Sequence, residues 1–365
     1  MSISAVDAIP LAFQHARQQL FQPFRFWQWT RLAVVGLLAG ELGSGGGFNR
    51  SNFNFPRHPG ASRHFFDSGF AGIDPVLLAG LIAVLIIAAL TLGIIFMYIS
   101  SVMRFVLFDS VIVKECHIRQ GWSRRQSEGW RYFLWQLLYL LATFAGLFVL
   151  LVIPAGFAFA AGWLKSPSEH VLPLVLGGIV LFFVLLIFFV AVAVIGVLTK
   201  DFVVPQMALE DIGAMEAWRR LWPMIKAEKG AYAGYLGMKI VMAIGAGIVV
   251  GIATLILGLI IAIPTVGLSI IAVITGKTAG LTWNAYTITL AVVVGSVLLA
   301  CFLYLIALIS VPVIVFFPAY SIYFLAARYP ALSAMLYPPA PQPMIPLYNP
   351  SEQPPPLPPA PEPAG

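Results

Sequence analysis

The chain has 365 residues, 60% of them hydrophobic and only 10% charged, with a mean hydropathy of +0.92. Soluble domains carry about 25% charged residues, so this composition excludes an ordinary water-soluble domain and describes a chain built for lipid. The net charge of +6 does not mark a nucleic-acid binder, because Lys and Arg sit beside the apolar runs, where they orient membrane segments. Cys116 and Cys301 are the two cysteines, too few for a disulfide framework or a zinc site.

The N-terminus, MSISAVDAIPLAFQHAR, has no early basic cluster, and the apolar stretch 32–40 comes late and is short, so membrane insertion is expected to depend on internal spans. Residues 1–24 read as an interfacial amphipathic helix. Val6, Ile9, Phe13, Ala16, Leu20 and Phe24 recur at helical spacing, while Gln14, Arg17, Gln18 and Gln22 take the other face. Pro23 ends or bends it, and Phe24, Phe26, Trp27 and Trp29 form an aromatic cluster suited to headgroup level.

A six-span membrane domain is expected over 25–330. Its first span, 32–42, is the weakest, since Arg31 and Glu41 bracket only nine residues. Residues 43–74 read as a flexible loop. It opens GSGGG without the Lys-Ser/Thr of a P-loop, and its His58 and His64 lack further metal ligands. The run 75–103 is uncharged and forms a secure span, with its helical pattern continuing to about residue 118. The spans 132–164 and 171–199 follow, then 231–263, with Lys239 near its start and turn residues expected from Pro264. No residue ionises from 278 to 327, which reads as one helix from about Trp283, bent near Pro312 or Pro318. The end, 331–365, is Pro-rich and is expected to be a disordered cytoplasmic tail of polyproline II character, able to present a PxxP ligand to a protein partner.

With both termini in the cytoplasm, fifteen basic residues fall on that side and five on the other, as the positive-inside rule requires. The spans also repeat. Long helices exit through RFVLFDSVI, DFVVPQMAL and VIVFFPAYSI, with Pro205 and Pro318 in matching places, and each next span is approached through an aromatic, basic segment. The pattern is a hairpin used three times, giving an all-α polytopic helical bundle. Internal symmetry of this kind occurs in transporters.

The segment AFQHARQQLFQPFRFWQWTRLAVVGLLAGE, the FVLFD exit and the later WRR…KG…Y approach resemble a loose group of six-span bacterial membrane proteins. That group includes the membrane domain attached to some glycerophosphoryl diester phosphodiesterases and families of unknown function. The resemblance covers most of residues 5–330 and implies a bacterial inner-membrane protein. It does not carry over the phosphodiesterase activity, since the chain has no room for the soluble barrel with its metal ligands.

The polar residues divide by position. Arg124, Arg125, Arg219 and Arg220, interleaved with Trp122, Trp130, Trp218 and Trp222, are candidate contacts for anionic headgroups or a partner, against a plain topogenic role. Ile212, Met215, Trp218, Leu221, Trp222 and Ile225 share one helical face, and Glu216 and Arg220 pair at i,i+4. Asp109 is a candidate proton acceptor or partner of Arg104, and Lys239 a candidate functional cation, against a rim position and snorkelling respectively. Apart from Lys239 the secure spans hold no charge, which counts against an ion-coupled carrier. No HExxH, GxSxG or paired carboxylate in a span is present, and adjacent Cys116 and His117 point apart on a helix. The expectation is a non-catalytic protein without cofactor, acting as a membrane-embedded scaffold, accessory or lipid-binding and partner-binding domain, with a transporter of a lipid-like or apolar solute as the alternative.

Overall fold

The computed structural model describes residues 4–41, 75–278, 280 and 285–337. The GSGGG segment, His58, His64 and the tail beyond Tyr337 lie outside these residues. Among the described residues the structure is helical without strands: α1 (Ala8–Phe21), α2 (Phe26–Leu38), α3 (Pro75–Val113), α4 (Ile118–Ala160), α5 (Val171–Leu198), a π-helical turn (Thr199–Val203), α6 (Val204–Glu210), α7 (Ala214–Ala227), α8 (Lys229–Thr278), α9 (Ala285–Ala326) and α10 (Pro330–Leu336). Five segments of the described chain are long and apolar enough to cross a membrane: Val76–Val113, Ile118–Ala160, Val171–Glu210, Lys229–Gly276 and Tyr286–Ala326. The chain is therefore an all-α membrane-integrated bundle.

The expected first span, 32–42, is not among those five segments. α2 has 13 residues, about 20 Å at about 1.5 Å per residue, short of the roughly 30 Å hydrocarbon core. Glu41 then follows, buried and ion-paired to Lys200, so the apolar run stops at a charged contact inside the protein. Three other boundaries also shift. The basic segment 118–131 is the first part of α4 rather than a separate interfacial helix. α8 runs through Pro264 for 50 residues, because apolar surroundings offer the freed carbonyl no water to reward a break. The first residues assigned to the tail, within Pro330–Leu336, are helical.

The turn leading into α1 is closed reciprocally: Ser4 N–H donates to Asp7 Oδ2 at 3.3 Å, and Asp7 N–H donates to Ser4 Oγ at 3.2 Å. Its buried face is Ala8, Ala12, His15, Ala16, Gln19 and Leu20, while Val6 and Phe13 are exposed. The expected apolar face is thus split: Val6 and Phe13 turn outward, while Ala16 and Leu20 join small and polar side chains against the protein. Those polar side chains serve the end of α3, which Lys114 closes with φ 61°. Gln19 donates to Ser110 O at 2.8 Å, His15 Nε2 reaches Val111 O at 2.8 Å, and Gln28 from α2 donates to Lys114 O at 2.6 Å. A helix end leaves carbonyls without partners, and the N-terminal helices supply the donors. Tyr320 of α9 donates to Ala5 O at 3.0 Å, so α1 lies at the end of the bundle where α9 finishes.

His15 carries a pH prediction. Its Nε2 faces a carbonyl and must bear the proton, leaving Nδ1 to accept from Tyr323 Oη at 3.1 Å. Burial pushes its pKa below the ordinary 6.5, with nearby Lys114 adding to the effect and the Val111 carbonyl opposing it. The undocked helix then binds protons more readily than the docked one. The contribution of His15 to docking is complete above about 6.5 and is lost as pH falls below that value towards the lowered pKa. Hydrogen exchange of α1 amides is expected to speed up from pH 7.5 to pH 5 relative to α8, and His15→Gln should flatten that difference. An unchanged difference in the variant would refute the assignment.

The core is concentrated at that same end. Phe105, Tyr132, Phe202, Tyr235, Tyr320 and Phe324 are almost fully buried, with Tyr235 and Tyr320 stacked at 4.9 Å and Tyr235 and Phe324 at 4.7 Å. By contrast, the most apolar 18-residue stretches of α3, α4 and α5 contain no buried residue. The spans are joined at one end and leave their apolar lengths uncovered by the rest of the protein. Close approach of α3 and α4 depends on Gly129, where an added Cβ would lie 2.5 Å from Val102 Cγ2 and 3.0 Å from Val102 Cα. Backbone on one side leaves nothing flexible to yield. Gly129→Ala is expected to cost about 1–3 kcal/mol, read by thermal unfolding in detergent; a loss under about 0.5 kcal/mol, the scale of an ordinary surface change, would refute that contact.

Candidate functional site: a buried ionic hub

At the joined end, Glu41, Arg104, Lys200, Asp201, Phe317, Pro318 and Ser321 help to line a cavity of about 30 Å³, room for a water molecule or two. Glu41 pairs with Lys200, and Asp201 with Lys239. Asp201 also accepts from Tyr235 Oη at 2.9 Å. Arg104 donates to Tyr132 Oη at 2.6 Å and to Ala39 O at 3.0 Å. Glu41, Asp201 and Lys239 are 4%, 4% and 7% exposed. Charges so far from water survive only when paired and hydrogen-bonded, and here each has a named partner.

Local chemistry explains why Lys200 and Asp201 reach the hub together. Pro205 has no N–H to give the carbonyl of Asp201, and its ring crowds that carbonyl. The helix widens, and Val204 N–H bonds Thr199 O five residues back. Such π turns recur at functional sites. The exit repeats supply the rest of the wall: Arg104, Leu107 and Phe108 from the first, Asp201, Val204 and Pro205 from the second, Phe317, Pro318 and Ser321 from the third. The internal repeat seen in the sequence is thus the element that builds this site.

Lys239 does not snorkel; its ammonium is turned inward to Asp201 and lies 6.0 Å from the Tyr235 ring centroid and 5.9 Å from that of Phe317. With Asp201 held at the π turn, the inward path satisfies the charge at shorter range than the water outside. Asp109 does not pair with Arg104. It receives both arms of Arg125, at 2.7 and 2.8 Å, and Arg125 also meets Glu128 at 3.0 Å and Ala208 O at 2.8 Å. Arg125 therefore ties α3, α4 and α6 together, and its neighbour Arg124 is exposed.

The other candidates separate as well. Arg219 and Arg220 are engaged by Glu216, and Arg220 also by Glu210; the Glu216–Arg220 pair at 3.3 Å is the one expected from the spacing. On α7 the buried residues are Ala214, Ala217 and Leu221, so Met215 and Trp222 of the expected apolar face point outward. Trp218 donates to Thr199 Oγ1 at 3.2 Å, and Lys226 lies 5.4 Å from the Trp222 ring centroid. Trp122 meets Tyr98 edge-on at 6.0 Å, and exposed Trp130 stacks on Phe133 at 5.2 Å. Trp122 and Trp130 share Tyr98, whereas Trp218, Trp222, Arg219 and Arg220 have other partners, so the candidates do not form one binding cluster.

Glu41, Arg104, Lys200 and Asp201 went unrecognised in the sequence because each stands at the edge of an apolar run, where topogenic charge is expected. The signal available was the recurrence of Arg104 and Asp201 at the start of the exit signatures. Among the described residues no group of three or more His, Cys, Asp and Glu side chains is placed to hold a metal ion. Comparison with curated proteins and with solved structures returned no match. Residues 3–335 match a family of unknown function (DUF7544), and with the match running from the residues before α1 to within α10, this chain belongs to that family.

Proposed function

We propose that the protein is a non-catalytic membrane domain of a bacterial cytoplasmic membrane, serving as a scaffold or accessory unit that binds lipid or partner helices, with the end of the bundle that carries α1 and the close of α9 facing the cytoplasm. The observation that carries this reading is the uncovered apolar length of α3, α4 and α5, whose most hydrophobic stretches have no buried residue. Helices tied at one end and unpacked along their spans present large apolar surfaces to lipid chains or to other transmembrane helices. The likeness of its aromatic, basic segments to the membrane domain attached to some glycerophosphoryl diester phosphodiesterases agrees with an accessory role. Native purification into nanodiscs followed by lipid and protein mass spectrometry tests it. Enriched lipids or a stoichiometric protein partner are expected. A bare chain carrying lipids in bulk proportion would overturn the reading.

The hub favours one other reading, a transporter. Ionisable groups within spans are costly and accompany substrate or proton pathways, and Asp201, Lys200, Lys239 and Arg104 all lie within the apolar segments. Solute flux into proteoliposomes, abolished by Asp201→Asn, would establish transport. Absence of flux for lipid-like and small ionic solutes would remove it.

A further inference from the structure

We infer that a groove between the start of α4 and the side of α2 binds the phosphate of an anionic glycerophospholipid. The groove is an open concavity of about 780 Å³ whose lining includes Arg31, His117, Arg119, Gln120, Ser123 and Arg124, and no carboxylate. Among the described residues, Arg25 pairs with Glu115, and Arg125 with Asp109 and Glu128; no ion pair involves Arg31, Arg119 or Arg124. Asp109 and Glu115 line an adjoining concavity that shares His117, Gln120 and Arg124 with the groove, and each is held by one of those other arginines. Three guanidinium groups with a serine hydroxyl and a glutamine amide match a phosphate diester, which offers acceptor oxygens and one negative charge. The first turn of α4, which opens onto the groove, has no acidic side chain.

The source of the phosphate is a membrane lipid because of what adjoins the groove. Phe24, Phe26 and Trp27 are 57%, 58% and 65% exposed, and the Arg31 guanidinium lies 5.5 Å from the Trp27 ring centroid. Exposed aromatic side chains beside arginines form the belt found where hydrocarbon meets headgroups. A headgroup in the groove would have its acyl chains alongside these rings. Arg31 donates to Cys116 O at 3.2 Å, which fixes it across the gap from α4.

This assignment rests on the lipid-binding reading above and sharpens it to one headgroup chemistry at one place. The test uses the full chain in nanodiscs holding phosphatidylglycerol and phosphatidylcholine in equal amounts, with retained lipids counted by native mass spectrometry. Wild type is expected to keep phosphatidylglycerol selectively. Arg119→Gln with Arg124→Gln should weaken its retention about 30-fold, while Arg219→Gln, which removes one charge elsewhere, should leave it unchanged. Arg119 and Arg124 are exposed, so the double variant should keep the wild-type unfolding temperature, and Arg31 is left in place because it also supports the fold. Wild-type retention in the double variant would overturn the assignment. So would release of the lipid by inorganic phosphate at equal concentration, which would mark the groove as a site for a soluble anion. If the groove fails but other lipids or a protein partner remain bound, the scaffold reading stands. If wild type retains neither, both fall.

Discussion

Asp201→Asn and Lys239→Met are each expected to destabilise the protein by about 3–5 kcal/mol, the scale for removing one member of a buried ion pair. The Asp201 and Lys239 side chains are 4% and 9% exposed, so whichever charge remains is cut off from bulk water. Without Lys239, Asp201 keeps the Tyr235 hydroxyl, with the Lys200 and Arg104 charges at longer range. Without the Asp201 charge, Lys239 faces two aromatic rings, which are a weak substitute for a carboxylate. The double variant should recover much of the loss, since two neutral side chains of similar volume carry no stranded charge. Reversible unfolding of all three variants in one detergent gives the coupling energy directly. A single variant costing less than about 1 kcal/mol, as an exposed pair would, would mean that the pair is not sequestered at the hub.

Arg125→Gln is the second large effect, again about 3–5 kcal/mol. The guanidinium joins Asp109 on α3, Glu128 on α4 and the Ala208 carbonyl on α6, so its loss strands two carboxylates and frees a carbonyl at a junction of three helices. Arg124→Gln, one position along the helix and exposed, should change stability by no more than about 0.5 kcal/mol. The contrast also separates structure from binding. Arg125→Gln should lower the unfolding temperature while its folded fraction retains phosphatidylglycerol as wild type does, whereas Arg124→Gln should do the reverse. Equal behaviour of the two would contradict both the buried clamp and the groove.

The uneven packing places these effects at one end of the molecule. Substitutions within the uncovered stretches, such as Leu85→Ala on α3, remove little contact with the rest of the protein, since Leu85 is 60% exposed. Stability therefore depends on the hub and its aromatic neighbours, and the far parts of the spans are left to lipid or to other helices. That separation suits a protein whose apolar surface is offered to others, because ligand-facing positions can vary without loosening the end that holds the helices together.

Several features were determined by local sequence alone. The uncharged runs 75–103, 132–164, 171–199 and Tyr286–Ala326 form helices long and apolar enough to span, because hydrocarbon obliges a chain to satisfy its own backbone, and a helix does so within each segment. The closed turn leading into α1, the Glu216–Arg220 pair and the threefold exit pattern likewise follow from residues a few positions apart. What needed the tertiary structure was the pairing of charges across the chain. Glu41 meets Lys200 across 159 positions and Lys239 meets Asp201 across 38, distances over which hydropathy carries no information. A charge at the edge of an apolar run reads the same whether it faces water or a partner, so Lys239 looked like a snorkelling cation and Arg125 like a headgroup contact. Only the crossing of α3, α4, the π turn, α8 and α9 at one depth turns these edge charges inward, because there a carboxylate or a carbonyl is nearer to each than water is.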